Sequence, residues 1–157
     1  MQFNGTLTQL TKIVPIATPK SWASTAATTE WINLKNYDKV RFIIYTGAWA
    51  GGTAAVTVIQ ATSDGGSSKA VAFDHYYVGT TDTPTKTTAS SNTFNLSAAS
   101  SVYMIEIAAT DLDVTNAYDW VALAIATPGA NADYYAAVAE LYGGRYLHGI
   151  DSPTALS

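Results

Sequence analysis

Residues 31–60, WINLKNYDKVRFIIYTGAWAGGTAAVTVIQ, are the stretch that decides the fold. Apolar side chains occupy every second position from 40 to 44 and again from 54 to 58. Because successive side chains of a β-strand point to opposite faces, this spacing predicts two strands, each with one wholly apolar face. The three glycines within 47–52 supply the backbone freedom for a change of direction between them. The stretch therefore predicts a sheet-forming core, and it contains no reactive group.

Further strand-like segments follow at similar spacing. Asp64-Gly65 and Pro128-Gly129 are turn signals that separate them. The segments are 70–78, 93–96, 102–108, 118–126 and 134–142. In the last one Ala, Glu and Leu favour a helix, but its tyrosines, Val138 and its place between two turn signals favour a strand. Seven or eight short strands without a long amphipathic helix predict an all-β protein, an antiparallel β-sandwich that is jelly-roll-like.

The length of 157 residues indicates a single domain with room for a real core. We predict three parts, an extended N-terminal arm at 1–20, the β-sandwich at 21–146 and a C-terminal tail at 147–157. Pro15 confines any strand in the arm to an edge of the sheet, since proline has no N–H for a ladder. The arm could pack on its own domain or on a neighbouring subunit, and deleting it would then weaken assembly without unfolding the sandwich.

Charge and composition exclude several classes of partner. The net charge is −4, and only 13% of the residues are charged, so no basic stripe is present to bind nucleic acid. The absence of cysteine removes disulfides and thiolate metal sites. The N-terminus lacks the features of a signal peptide, and no apolar run is long enough to cross a membrane. We expect neither a nucleic-acid nor a membrane partner.

Candidate catalytic groups are few and scattered. His75 and His148 lack the spacing of a zinc site, and no nucleophile motif is present. Asp111 and Asp113 lie in a turn-like segment, where aspartate commonly caps the backbone. We therefore predict a non-enzymatic protein with no catalytic residue, no metal and no cofactor.

Aromatic residues are the better functional clue. The chain has ten tyrosines and four tryptophans, more than a small core needs. Trp31 and Trp120 are predicted to lie in the core. Trp49, in the glycine-flanked loop, is predicted to be exposed or to be buried by a partner, because tryptophan is enriched at interfaces.

The order of these segments resembles a family of small proteins from the structural-gene regions of tailed bacteriophages and prophages. The matching pieces are WINLKNYDKVRFII at 31–44, VTVIQATSD at 56–64, AVAF at 70–73, YMIEI at 103–107 and AAVAELYGGRY at 136–146. The resemblance implies a virion component, assembled in the host cytoplasm, that decorates or cements the capsid. Its partners would be the major capsid protein or other virion proteins and further copies of itself, with a trimer as one candidate.

Interface roles are assigned on this basis to the arm, the Trp49 loop and the start of the tail. The residues are Trp49, Ile13, Ile16, Arg145 and Tyr146. The alternative is a carbohydrate- or host-surface-binding module of the neck, tail or fibres, which would use exposed aromatic rings.

Overall fold

The computed structural model describes residues 10–79, 81–144 and 155–156. Within them twelve strands form two antiparallel sheets, and the helical elements are two single 3-10 turns, Ala109–Asp111 and Val114–Asn116. The strands are β1 Thr11–Ser21, β2 Ala27–Thr28, β3 Ile32–Asn33, β4 Lys39–Thr46, β5 Ala54–Ala61, β6 Lys69–Ala70, β7 Asp74–Val78, β8 Thr85–Thr88, β9 Thr93–Leu96, β10 Val102–Ala108, β11 Trp120–Ile125 and β12 Tyr134–Tyr142. The predicted antiparallel β-sandwich is confirmed.

Strand pairing is nested along the chain. β1 pairs with β12, β2 and β3 pair with β11, β4 pairs with β10, and β5 pairs with β9. A long antiparallel hairpin of this kind, rolled into two sheets, is a jelly roll. The first sheet has the order β1-β12-β4-β10-β7-β8, and the second has the order β2-β11-β5-β6, with β3 beside β11 and β9 beside β5. The jelly-roll-like topology is therefore confirmed.

β6, β7 and β8 form an excursion between β5 and β9. The sequence predicted one return strand at 70–78, but the structure divides it between the two sheets, with β6 beside β5 and β7 beside β10. Val71 and Phe73, in the crossing between the sheets, are buried at 4% and 7% exposure. The excursion widens the first sheet from four strands to six.

The core lies between the two sheets and consists of the inward positions of the strands. Phe42 on β4 lies opposite Ile105 of β10 and Ala139 of β12, and all three are fully buried. On β11, Val121, Leu123 and Ile125 point inward as predicted. Alternation of inward apolar and outward residues thus sets which face of each sheet is covered.

The division at residue 20 is corrected for residues 11–20. These residues belong to β1, which pairs with β12 from Thr11 opposite Tyr142 to Ser21 opposite Tyr134. Register shifts after Pro15 and after Ala17 adapt the strand to its two prolines. The alternative of an edge strand on its own domain is therefore the one that the structure adopts.

Two tryptophan assignments are also corrected. Trp31 and Trp120 are only partly buried, because their neighbours Ile32 and Val121 take the inward positions of the strands. Trp22 is the core tryptophan, 7% exposed and stacked on Tyr135 with ring centroids 4.8 Å apart. Of the predicted tail, Ala155 is buried and its carbonyl accepts a hydrogen bond from the Asn33 N–H at 2.9 Å.

Candidate interaction surface

The outer side of the first sheet, β1-β12-β4-β10-β7-β8, carries two adjacent rows of uncharged side chains, which we call the apolar face. The first row crosses five strands from β1 to β7, and the second crosses four strands from β12 to β7. The first row is Pro15, Val138, Ile43, Met104 and Tyr76, and the second is Ala136, Tyr45, Val102 and Val78. Each member lies directly opposite its neighbour in the register, so the rows form a continuous surface.

Several large side chains at or beside the apolar face are open to solvent. Tyr45 is 53% exposed, and Tyr134, at the start of β12, is 44% exposed. Ile13, on the edge strand, is 65% exposed. The other members of the two rows, apart from exposed Pro15, are half-buried. Contiguous exposed apolar surface on this scale marks a site of protein interaction more often than scattered single residues do.

A charged row borders the apolar face. The Arg41 guanidinium donates to Glu140, with Nη2 and Oε2 2.5 Å apart, and it lies over the Tyr142 ring at 5.4 Å. Partial burial raises the pKa of the Glu140 carboxyl, but hydrogen bonds from Tyr142 and Arg41 outweigh it, so the pKa lies below its ordinary value. Burial and the bond to Glu140 raise the pKa of Tyr142 to about 12. The pair is therefore ionised and internally satisfied at neutral pH.

Two grooves indent this side of the molecule. One, of about 200 Å³, is lined by Tyr45, Tyr134, Pro19 and Lys20, together with neighbouring backbone. The other, of about 410 Å³, is lined by Asp74, Tyr76, Glu106 and Asp111. Asp74 is paired with Lys86 at 2.7 Å, and Asp111 accepts the Ala108 N–H at 2.8 Å. Two of the three carboxylates in the 410 Å³ groove, those of Asp74 and Asp111, therefore already have partners within the chain.

Groups with possible catalytic or ligand roles are dispersed in the structure. Among the described residues, no three His, Asp or Glu side chains lie together as a metal ion would need. Asp113 caps the second 3-10 turn, as the sequence predicted for a turn aspartate, and its carboxylate pairs with Lys69.

No helix in the described part of the chain has the length and apolar character to cross a membrane.

The predicted interface residues fall in different environments. Trp49 is half-buried against the core, and its indole N–H donates to the Gly52 carbonyl at 3.1 Å. Ile13 is exposed next to Glu140, whereas Ile16 is 4% exposed and belongs to the core. Ile16 is therefore not available to a partner in this fold. Arg145 and Tyr146 lie outside the described residues.

The loop that carries Trp49 is held by a buried carboxylate. Asp133 is fully buried, and its Oδ1 accepts the backbone N–H groups of Ala50 at 2.5 Å and Gly51 at 3.2 Å. Gly52 has a φ of 81°, and a Cβ there would lie 2.4 Å from the Pro128 carbonyl oxygen, so only glycine fits. The loop is thus fixed against the 127–133 turn.

The sequence prediction missed most of the apolar face. The signal was present, because the outward positions of 41–45, 102–104 and 136–138 are also mainly apolar. Such two-sided strands occur where both faces of a sheet are covered. Local sequence does not show which outward positions of distant strands lie side by side, so the rows appear only in the folded structure.

Comparisons with known proteins bear on the fold. No protein-family model matches the sequence, and no curated protein matches it significantly. The structure is similar to the crystal structure of the SPBc2 prophage-derived protein YomS, with a TM-score of 0.50 and 9% sequence identity over 85% of this chain and 93% of that chain. At this level of identity the likeness concerns the fold alone.

Proposed function

We propose that this chain is a non-enzymatic structural protein of a bacteriophage particle, which decorates the capsid and stabilises its shell as an oligomer. The observation that carries the proposal is the apolar face, a continuous uncharged surface across five strands of a small jelly roll. The likeness in fold to a prophage-derived protein and the phage-like order of sequence segments support the phage assignment.

Leaving such a face exposed to water costs free energy. Burial of apolar surface contributes about 25 cal/mol per Å², so a partner that covers these rows gains free energy without having to match many charges. A protein that binds mainly by burying apolar surface, with few ionic contacts, suits a shell of repeated subunits, because symmetry repeats each modest interface many times. The low charged fraction of 13% agrees with this role.

The test is the copy number on particles. Phage particles released from cells that encode the chain are purified on a density gradient, and the chain is quantified by mass spectrometry against the major capsid protein. Hundreds of copies per particle are expected for a shell-decorating protein. A dozen or fewer would assign it instead to the neck, tail or fibres, and absence from purified particles would overturn the virion proposal.

A glycan-binding role is the second candidate, favoured by Tyr45 and Tyr134 beside the 200 Å³ groove. Exposed aromatic rings can stack on sugars, but a sugar site also needs convergent polar groups, and Lys20 is the one charged side chain in this lining. Titration with a glycan panel, read by tryptophan fluorescence, separates the two roles. Saturable binding that is lost in Tyr134→Ala would favour the glycan role.

A further inference from the structure

We propose that the occupant of the apolar face is a second copy of the same chain, bound through the same surface on both copies. This inference rests on the proposed function and deepens it, because it names the surface through which the protein would assemble with itself. Four features of the structure carry it: the charge of the face, its size, the state of the sheet edges and the position of the face in the sheet.

The charge of the face permits contact between two copies. β4, β7, β8, β10 and β12 place three basic and three acidic side chains on this side, namely Lys39, Arg41, Lys86, Asp74, Glu106 and Glu140, and the two grooves add one of each sign, Lys20 of β1 and Asp111. These strands therefore carry no net charge here, although the whole chain carries −4. Two identical acidic proteins repel each other least where their facing surfaces are neutral. Two of the ionic pairs, Arg41–Glu140 and Asp74–Lys86, are completed within each copy.

The size of the face suits a reversible dimer. Neighbouring strands lie about 4.8 Å apart, and residues on the same face of one strand lie about 7 Å apart. With these spacings the two apolar rows and the charged row together cover a flat area of roughly 450 Å². Two copies would together bury about 900 Å², which is close to the roughly 1,000 Å² needed for a specific interface. The expected contact is therefore dependent on concentration, and it would be reinforced when copies are held side by side on a shell.

The edges of the sheet favour face-to-face contact over strand exchange. β1, at one edge, contains Pro15 and Pro19 and two register shifts. β8, at the other edge, has four residues, all exposed, and includes Lys86. Proline, irregular register, short length and lysine are the devices that stop edge strands from pairing with another chain. Assembly by exchange of strand edges between copies is thus disfavoured.

The position of the apolar face suits a two-fold axis. Ile43 and Tyr45 are on the third strand of the sheet, and Met104 and Val102 are on the fourth. In a symmetric dimer the same patch meets itself, so the residues at its centre lie near the axis. Tyr45 is the most exposed side chain of this central group, and a charge introduced there would meet its own copy.

The experiment is sedimentation velocity over a wide range of concentration, on the full chain and two variants. The unaltered chain is expected to shift reversibly from 16.6 kDa to twice that mass. Tyr45→Arg is expected to raise the dissociation constant at least tenfold. Ile59→Arg, at a half-buried outward position on β5 in the other sheet, is the matched control and is expected to change it less than twofold.

A second measurement covers the case in which Tyr45→Arg does not fold. Because the chain has no cysteine, Ile43→Cys and Ile59→Cys each introduce one thiol that can be cross-linked with a short bismaleimide. A covalent dimer from Ile43→Cys and none from Ile59→Cys would support the proposal. Equal cross-linking, a monomer at every concentration, or a trimer insensitive to Tyr45→Arg would overturn it.

These outcomes are separable from the test of function. A protein that is monomeric in solution, yet present in hundreds of copies on particles, overturns this inference and leaves the proposed function in place. A protein that dimerises through this face, yet is absent from particles, supports this inference and overturns the proposed function.

Discussion

Asp133 shows how one buried side chain holds a loop. Its Oδ1 accepts two backbone N–H groups of the Trp49 loop, and its own carbonyl accepts the Trp22 N–H at 2.9 Å. Its Oδ2 is buried with no hydrogen-bond partner in the described part of the chain. The two bonds offset the cost of burying a carboxylate that is only half satisfied.

We predict that Asp133→Ala lowers the free energy of unfolding by about 2–4 kcal/mol, because two N–H groups lose a charged acceptor. Asp133→Asn, which keeps Oδ1 as an acceptor, is expected to cost less than half as much. Urea denaturation followed by circular dichroism measures both values. Asp82→Ala, at an exposed loop position, is the control, and an equal loss in all three variants would contradict the role of Asp133.

His75 is a titratable group whose partial burial makes the stability of the fold depend on pH. Its ring stacks on Phe94 with centroids 4.2 Å apart, and its Nδ1 is buried without a hydrogen-bond partner among the described residues. Burial lowers the pKa of His75 below its ordinary value, against a smaller opposing effect of the Asp74 charge. The folded protein therefore binds the proton less readily than the unfolded chain does.

The sign of the pH dependence follows from that difference. Above the unfolded pKa of about 6.5 both states are neutral at His75 and stability does not depend on it. As the pH falls below 6.5, the unfolded state takes up the proton first, so we predict that the free energy of unfolding decreases between pH 7 and pH 5. Denaturation curves of His75→Phe at the same pH values should have a smaller slope. An unchanged slope would contradict the prediction, since His148 is common to both proteins.

At the scale of the element, β1 is part of the fold and not an appendage. Its ladder with β12 joins the two ends of the described sandwich, and Val14 and Ile16 point into the core. Ile13, one position from Val14, points to solvent. One strand thus offers an inward and an outward isoleucine in the same local sequence.

This pair makes a matched test. We predict that Ile16→Ala lowers the free energy of unfolding by about 2–4 kcal/mol through lost burial and the cavity left behind. Ile13→Ala should change it by less than about 0.5 kcal/mol, since the side chain is already in solvent. Thermal and urea denaturation of the two variants measures the difference. Equal effects would mean that β1 does not dock as described, and the extended arm would regain support.

At the scale of the whole molecule, the nested pairing places the most enclosed strands in the middle of the first sheet. β4 and β10 are hydrogen-bonded on both sides, and their inward residues are fully buried. Among the described strands β8 pairs with β7 alone, and all four of its residues are exposed. The excursion that contains β7 and β8 nevertheless widens the sheet and extends the apolar face.

We predict a corresponding gradient of amide hydrogen exchange. Peptides that cover β4 and β10 should exchange slowest, at rates set by global unfolding, and those that cover β8 should exchange fastest among the strands. Mass spectrometry of pepsin fragments after a time series in heavy water measures this order. Protection of β8 equal to that of β4 would show that the edge is covered by another chain.

The sequence by itself determined most of the long strands and which side of each of them is buried, but not the short strands β2, β3 and β8. The bounds 102–108 and the inward positions of β4, β5 and β11 follow from alternation, which is a local property that each segment carries alone. The turns at Asp64 and Pro128 were readable for the same reason. The strand at 134–142 followed from its place between two turn signals, because its residue types alone suit a helix as well.

Only the tertiary structure decided which strands lie together. The pairing of β1 with β12, the division of 70–78 between two sheets and the burial of Trp22 in preference to Trp120 depend on contacts between segments far apart in the chain. Period-two alternation assigns a side chain to a face but does not name the neighbouring strand. The apolar face is a product of that neighbour choice, because Ile43, Met104 and Val138 become one surface only when β4 is placed between β10 and β12.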